Sequence, residues 1–108
     1  MEGEVRSVIE YHADVDPLHR NVWPVRVGDD KAAIGYLTEH ITVQLDGVTP
    51  PVTRWSWRFD DVEAERLGLD EVLRFSRGQY TTWGDALQSL ARLHQVAVAL
   101  RDPTSGVT

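Results

Sequence analysis

Cysteine is missing from this chain of 108 residues. Disulfides, thiolate metal centres and cysteine nucleophiles are therefore excluded. Lysine and asparagine are almost missing, with Lys31 and Asn21 the single examples, while arginine occurs ten times. Lysine and asparagine use A-rich codons and arginine mostly GC-rich ones, so the composition suggests a high-GC bacterium or its phage. No apolar run approaches the roughly 20 residues of a membrane-spanning helix. The opening Met-Glu-Gly-Glu is acidic where a secretion signal is basic and then apolar, so the expected compartment is the cytoplasm, bacterial or host. A glycine-rich phosphate loop is also wanting, since Gly28, Gly35 and Gly47 stand alone. Nor does any Gly-x-Ser-x-Gly turn surround Ser7, Ser56, Ser76, Ser89 or Ser105.

What the chain does have is enough apolar material to fold. Hydrophobic residues make up 42% and charged residues 26%, ordinary proportions for a globular domain. The length fits one core, expected over residues 1–102, with 103–108 a flexible C-terminal tail. A net charge of −6 opposes long-range attraction to nucleic acid.

Residues 4–11, "EVRSVIEY", alternate apolar and polar positions and read as a first strand. Residues 22–27 carry branched side chains in alternation, and Pro24 assigns them to an edge or bulged strand. Gly28-Asp29-Asp30 is turn chemistry and implies a hairpin. Residues 31–46 show Ile34, Leu37, Ile41 and Leu45 at helical spacing. The strict alternation of Ile41-Thr42-Val43-Gln44-Leu45 and the weakness of Gly35 inside a helix favour instead a long strand, bent at Gly35 or near Thr38. "GVTPP" at 47–51 is a loop, because paired prolines stop both ladders and helices.

The clearest strand is 53–59, "TRWSWRF". It sets Thr53, Trp55, Trp57 and Phe59 on one face and Arg54, Ser56 and Arg58 on the other. Beyond it, Asp60 or Asp61 caps a short helix to about Leu67, and Asp70 caps another that Gly78 would end. Thr82 with Asp85 resembles a capping box for a long terminal helix. Its apolar stripe is Trp83, Ala86, Leu87, Leu90, Leu93, Ala97 and Leu100, with His94 at the stripe's boundary. Strands first and helices last predict an α+β fold: an antiparallel meander of about four strands with short helices and the long C-terminal helix packed on one face.

Two stretches carry the candidate sites. "YHADVDPLH" at 11–19 holds His12, Asp14, Asp16 and His19, which could ligate zinc or manganese if His40 or His94 converged on them. Asp16-Pro17 is also a standard way to begin a turn, and the paired spacing of a helical metal motif is absent. The expectation is a connection over 12–19 and no metal, with a small metal-dependent enzyme built on His12, Asp14 and Asp16 as the rival. The acidic run Asp60, Asp61, Glu63 and Glu65 is what a helix N-terminus favours in any case.

In "TRWSWRF", Arg54 and Arg58 form a face able to hold carboxylates. A single-stranded nucleic-acid module would be the alternative, but there the rings and arginines should share a face. Four tryptophans, Trp23, Trp55, Trp57 and Trp83, exceed what so small a core needs, so Trp23 joins Arg54 and Arg58 as a candidate partner contact. The expectation is a small non-enzymatic protein that docks to another protein or to itself, without cofactor, catalytic residue or membrane. It suits a virion or assembly component, or an inhibitor or immunity-type protein.

Overall fold

The computed structural model describes residues 10–14, 21–29 and 31–101. Four strands occur there: β1 (Tyr11–Ala13), β2 (Val22–Val27), β3 (Gly35–Thr42) and β4 (Val52–Phe59). They pair antiparallel in the order β1-β2-β3-β4, the meander that the pattern predicts. Helices α1 (Asp61–Leu67) and α2 (Trp83–Arg101) follow, with a 3-10 turn at Glu71–Leu73 between them. The fold is α+β.

Alternation along β4 decides which side of the sheet is covered. Trp55, Trp57 and Phe59 are buried while Arg54 and Arg58 are exposed. The β3–β4 register sets Leu37 opposite Trp57 and Gly35 opposite Phe59. β2 adds Val25 to the same side, opposite Gly35. Helix α2 lies on this face, with Ala86, Leu90, His94 and Ala97 buried at spacings of four, four and three, the period of one helical stripe. Phe59, Leu37, Leu90 and Val25 are the largest side chains fully withdrawn from solvent. Leu90 thus meets the sheet at the centre of the core.

The N-terminal caps of α1 and α2 form as the sequence implies. Asp60 accepts a hydrogen bond from the Val62 amide at 3.0 Å, and Gly68 closes α1 in the left-handed region at φ 66°, where a Cβ would be strained. Thr82 Oγ1 accepts from the Asp85 amide at 3.1 Å.

Five sequence expectations shift. The first described strand is β1 at Tyr11–Ala13, so His12 lies in a strand paired with Arg26 rather than in a connection; residues 1–9, 15–20, 30 and 102–108 lie outside the described set. β2 is an inner strand despite Pro24. The Pro24 carbonyl accepts from the Asp14 amide at 2.8 Å, and having no N–H to return, proline stands where the β1–β2 ladder ends. The 31–46 strand is shorter than expected, spanning Gly35–Thr42.

The second helix is only the 3-10 turn, and Asp70 makes no side-chain capping bond there. The chain after it runs extended along the outer edge of β4. Phe59 N–H donates to the Arg74 carbonyl, Trp57 exchanges bonds with Ser76, and Trp55 exchanges them with Tyr80. Backbone groups on an edge strand need partners, and that need overrides the helical pattern. His94, expected at the boundary of the stripe, is buried within it. No helix among the described residues is long and apolar enough to cross a membrane.

Candidate functional site

With the helices on one side, the opposite face of the sheet stays uncovered by them. Strand register brings His12, Arg26, Tyr36, His40, Arg54 and Arg58 to that outer face, with Tyr36 opposite Arg58 and His40 opposite Arg54. Arg26 Nε lies 2.7 Å from Asp14 Oδ2, an ion pair by distance in which neither atom is aligned for a hydrogen bond. The Arg58 guanidinium sits 4.6 Å from the centre of the Tyr36 ring, a cation–π contact that steadies it without neutralising it. Tyr36 donates to Asp60 at 3.2 Å; burial first, then this bond to a carboxylate, raises its pKa.

Arg54 and Arg58 are exposed, and among the described residues neither has a carboxylate within ion-pair distance. Four residues apart on an extended strand, they stand about 13 Å from each other. In a chain of net charge −6 these are two arginines that, among the described residues, make no ion pair.

Trp23 is not part of that face. It is half-buried on the helix side, its ring 4.8 Å from Trp55 and 5.7 Å from Trp83. The sheet therefore separates it from Arg54 and Arg58. His12 and Asp14 do reach the outer face, where Asp14 is engaged by Arg26; Asp16 and His19 lie outside the described residues. Among the described residues no three His, Asp or Glu side chains come together as a metal site.

No protein-family model, curated protein or solved structure matches this chain.

A buried polar chain escapes a reading from sequence alone. His94 Nδ1 lies 2.6 Å from the Tyr11 hydroxyl, and His94 Nε2 lies 2.7 Å from Glu63 Oε2. Arg66 holds the same carboxylate through both Nε, at 2.8 Å, and Nη2, at 2.6 Å. One tautomer satisfies every atom: Nε2–H donates to Glu63 and Nδ1 accepts the phenolic proton. The Arg66 bonds, ahead of the bond from His94, hold the Glu63 carboxyl below its usual range against the opposing effect of burial. Burial, with Glu63 nearby, pushes the Tyr11 phenol up to about 12. A phenol held so firmly protonated is a poor base or nucleophile, and the chain serves to join β1, α1 and α2. Sequence offers one clue, since His94 falls four residues after Leu90 and three before Ala97 on the buried stripe. Its partners are 83 and 31 residues away and leave no local signal.

Two further networks support the faces. Trp57 Nε1 donates to Ser89 at 3.1 Å, and Ser89 also bonds the Tyr80 hydroxyl at 2.7 Å. On the outer face His40 Nε2 bonds Ser56 Oγ at 2.8 Å. Ser56 is buried, so this pair is a cross-strand tie and not a presented nucleophile.

Proposed function

We propose that this chain is a non-enzymatic protein-binding module whose outer sheet face receives a carboxylate-bearing surface of a partner. The observation that carries this reading is the pair Arg54 and Arg58, exposed and without carboxylate partners among the described residues. Arginine is favoured in interfaces because its planar fork binds carboxylates bidentately and is weakly hydrated. A single-stranded nucleic-acid module would need several rings beside these arginines as stacking platforms, and Tyr36, which lies there, is engaged by Arg58 itself. Trp55, Trp57 and Phe59 are instead committed to the core. An assembly component or an inhibitor that occupies a partner's binding surface, in a high-GC bacterium or its phage, suits such a module.

The test is affinity capture of partners from host lysate, followed by titration of the purified pair with wild type and with the Arg54→Ala/Arg58→Ala double variant. The double variant should keep its denaturation midpoint, because exposed substitutions shift stability by about 0.5 kcal/mol or less. It should bind about 10- to 100-fold more weakly, and wild-type affinity should fall with added salt. Full affinity in the double variant overturns the reading.

A further inference from the structure

The two ends of the molecule expose apolar surface of opposite shape. One end is the β3–β4 hairpin tip. Leu45 is 99% and Val48 85% exposed there, and Val43 and Ile41 are also largely in solvent. The tip is a defined knob: Asp46 accepts hydrogen bonds from the Val48 and Thr49 amides at 2.9 Å each and a further bond from the Thr49 hydroxyl. These bonds hold the exposed Asp46 carboxyl down to about 2, so it is ionised at neutral pH. The other end is a groove of about 420 Å³ between α1 with its following turn and the last turns of α2, lined by Leu67, Leu69, Leu73, Leu93, Val96 and Leu100. Leu100 is 76% and Val96 50% exposed. At the rim the Arg101 guanidinium lies over Gly68, with Asp70 the other charged residue of the lining.

Knob and groove cannot meet within one chain. β4 runs from the tip to Phe59 and passes directly into α1, so its eight residues keep them about 26 Å apart. Exposed apolar side chains gathered at one place are the kind of surface that partners cover. Both patches are apolar, and Asp46 of the knob is opposite in charge to Arg101 at the mouth.

We propose that copies of this chain associate head to tail, the hairpin tip of one copy seating in the groove between α1 and α2 of the next. Such a contact is heterologous: it propagates into a ring when the rotation closes and into an open filament when it does not. It uses neither Arg54 nor Arg58 and stands independently of the outer-face reading.

Sedimentation velocity over a range of concentrations tests it with three proteins. Wild type should form species larger than a dimer as concentration rises. The tip variant Leu45→Asp/Val48→Asp and the groove variant Val96→Glu/Leu100→Glu should each be monomeric, with helical content and melting temperature close to wild type because all four positions are exposed. An equimolar mixture of the two variants should give dimers and nothing larger, since one intact tip meets one intact groove and neither product can extend. Arg101→Glu should weaken wild-type association a few-fold. Arg54→Ala/Arg58→Ala should leave it unchanged, which keeps this outcome separate from that of the outer face. A wild type that stays monomeric at millimolar concentration overturns the proposal and leaves the groove to residues 102–108 or to a foreign partner. Association that persists in either variant alone also overturns it, because a tip-to-tip or groove-to-groove contact would then be responsible.

Discussion

The Tyr11 hydroxyl bonds His94 Nδ1 at 2.6 Å, joining the first described strand to the last helix across 83 positions of sequence. The other nitrogen of the same ring reaches Glu63 of α1 at 2.7 Å, so one imidazole ties three elements. His94→Ala removes both bonds and leaves a cavity and a partly buried carboxylate beside it. It should destabilise the fold by about 2–4 kcal/mol. Tyr11→Phe, which strands only the Nδ1 acceptor, should lower stability by about 1–3 kcal/mol. Urea denaturation of the two variants checks the order; an equal or larger effect of Tyr11→Phe would mean that the Glu63 bond contributes little.

The same chain makes stability depend on pH at both ends of the scale. Glu63 has its carboxyl held below its ordinary value of 4.5, so the unfolded state binds its proton first as the solution is acidified. Its contribution is therefore complete above that value and is lost as pH falls through the lower folded one. Tyr11 has the opposite sign. Its folded value is raised from 10.0 to about 12, so its contribution is complete below pH 10 and declines between 10 and 12. Melting temperature against pH should fall at both ends. Glu63→Gln should reduce the acid slope and Tyr11→Phe the alkaline one, while Asp46, held to about 2, preserves part of the acid slope in both.

Leu90 has no exposed surface and stands mid-stripe on α2 over the centre of the sheet. Leu90→Ala should destabilise by about 2–5 kcal/mol, a large share of the total for a domain of this size. Val96→Ala, on the half-exposed flank of the same helix, should shift the midpoint little. Chemical denaturation of both separates a core helix from one that merely lies nearby.

The meander, the two faces of β4 and the capped ends of α1 and α2 were legible in the sequence because each rests on local periodicity or local hydrogen bonding. Trp55, Trp57 and Phe59 alternate within five residues, and Asp60 and Thr82 cap amides two or three residues ahead. What failed to show depends on distant partners. Residues 74–80 carry helix-compatible local signals, yet the open edge of β4 draws them into extended pairing. Trp23 reads as surplus aromatic surface until the β2–β3 register turns it toward Trp55 and Trp83. His94 reads as a boundary residue because neither Tyr11 nor Glu63 is near it in sequence.

Gly35 marks the tightest approach in the core. A Cβ there would collide with the Arg58 carbonyl oxygen and come within 3.2 Å of Leu90 Cδ2 and 3.3 Å of Phe59 Cα. The first obstacle is backbone inside the β3–β4 ladder, so it cannot yield without disturbing the strand pairing. Gly35→Ala should therefore destabilise by about 1–3 kcal/mol or more, although alanine is intrinsically the less flexible residue. Gly78 gives the control. A Cβ added there meets only the His40 ring, at 3.1 Å from Cδ2, an exposed side chain that can shift at the expense of its bond to Ser56. Gly78→Ala should cost less than Gly35→Ala, at most about 1 kcal/mol for the weakened His40 bond. Equilibrium denaturation of the pair decides the matter: equal midpoints would mean that β3 and β4 are spaced widely enough at Gly35 to admit a methyl group, and that Leu90 rather than the carbonyl sets the fit of helix to sheet.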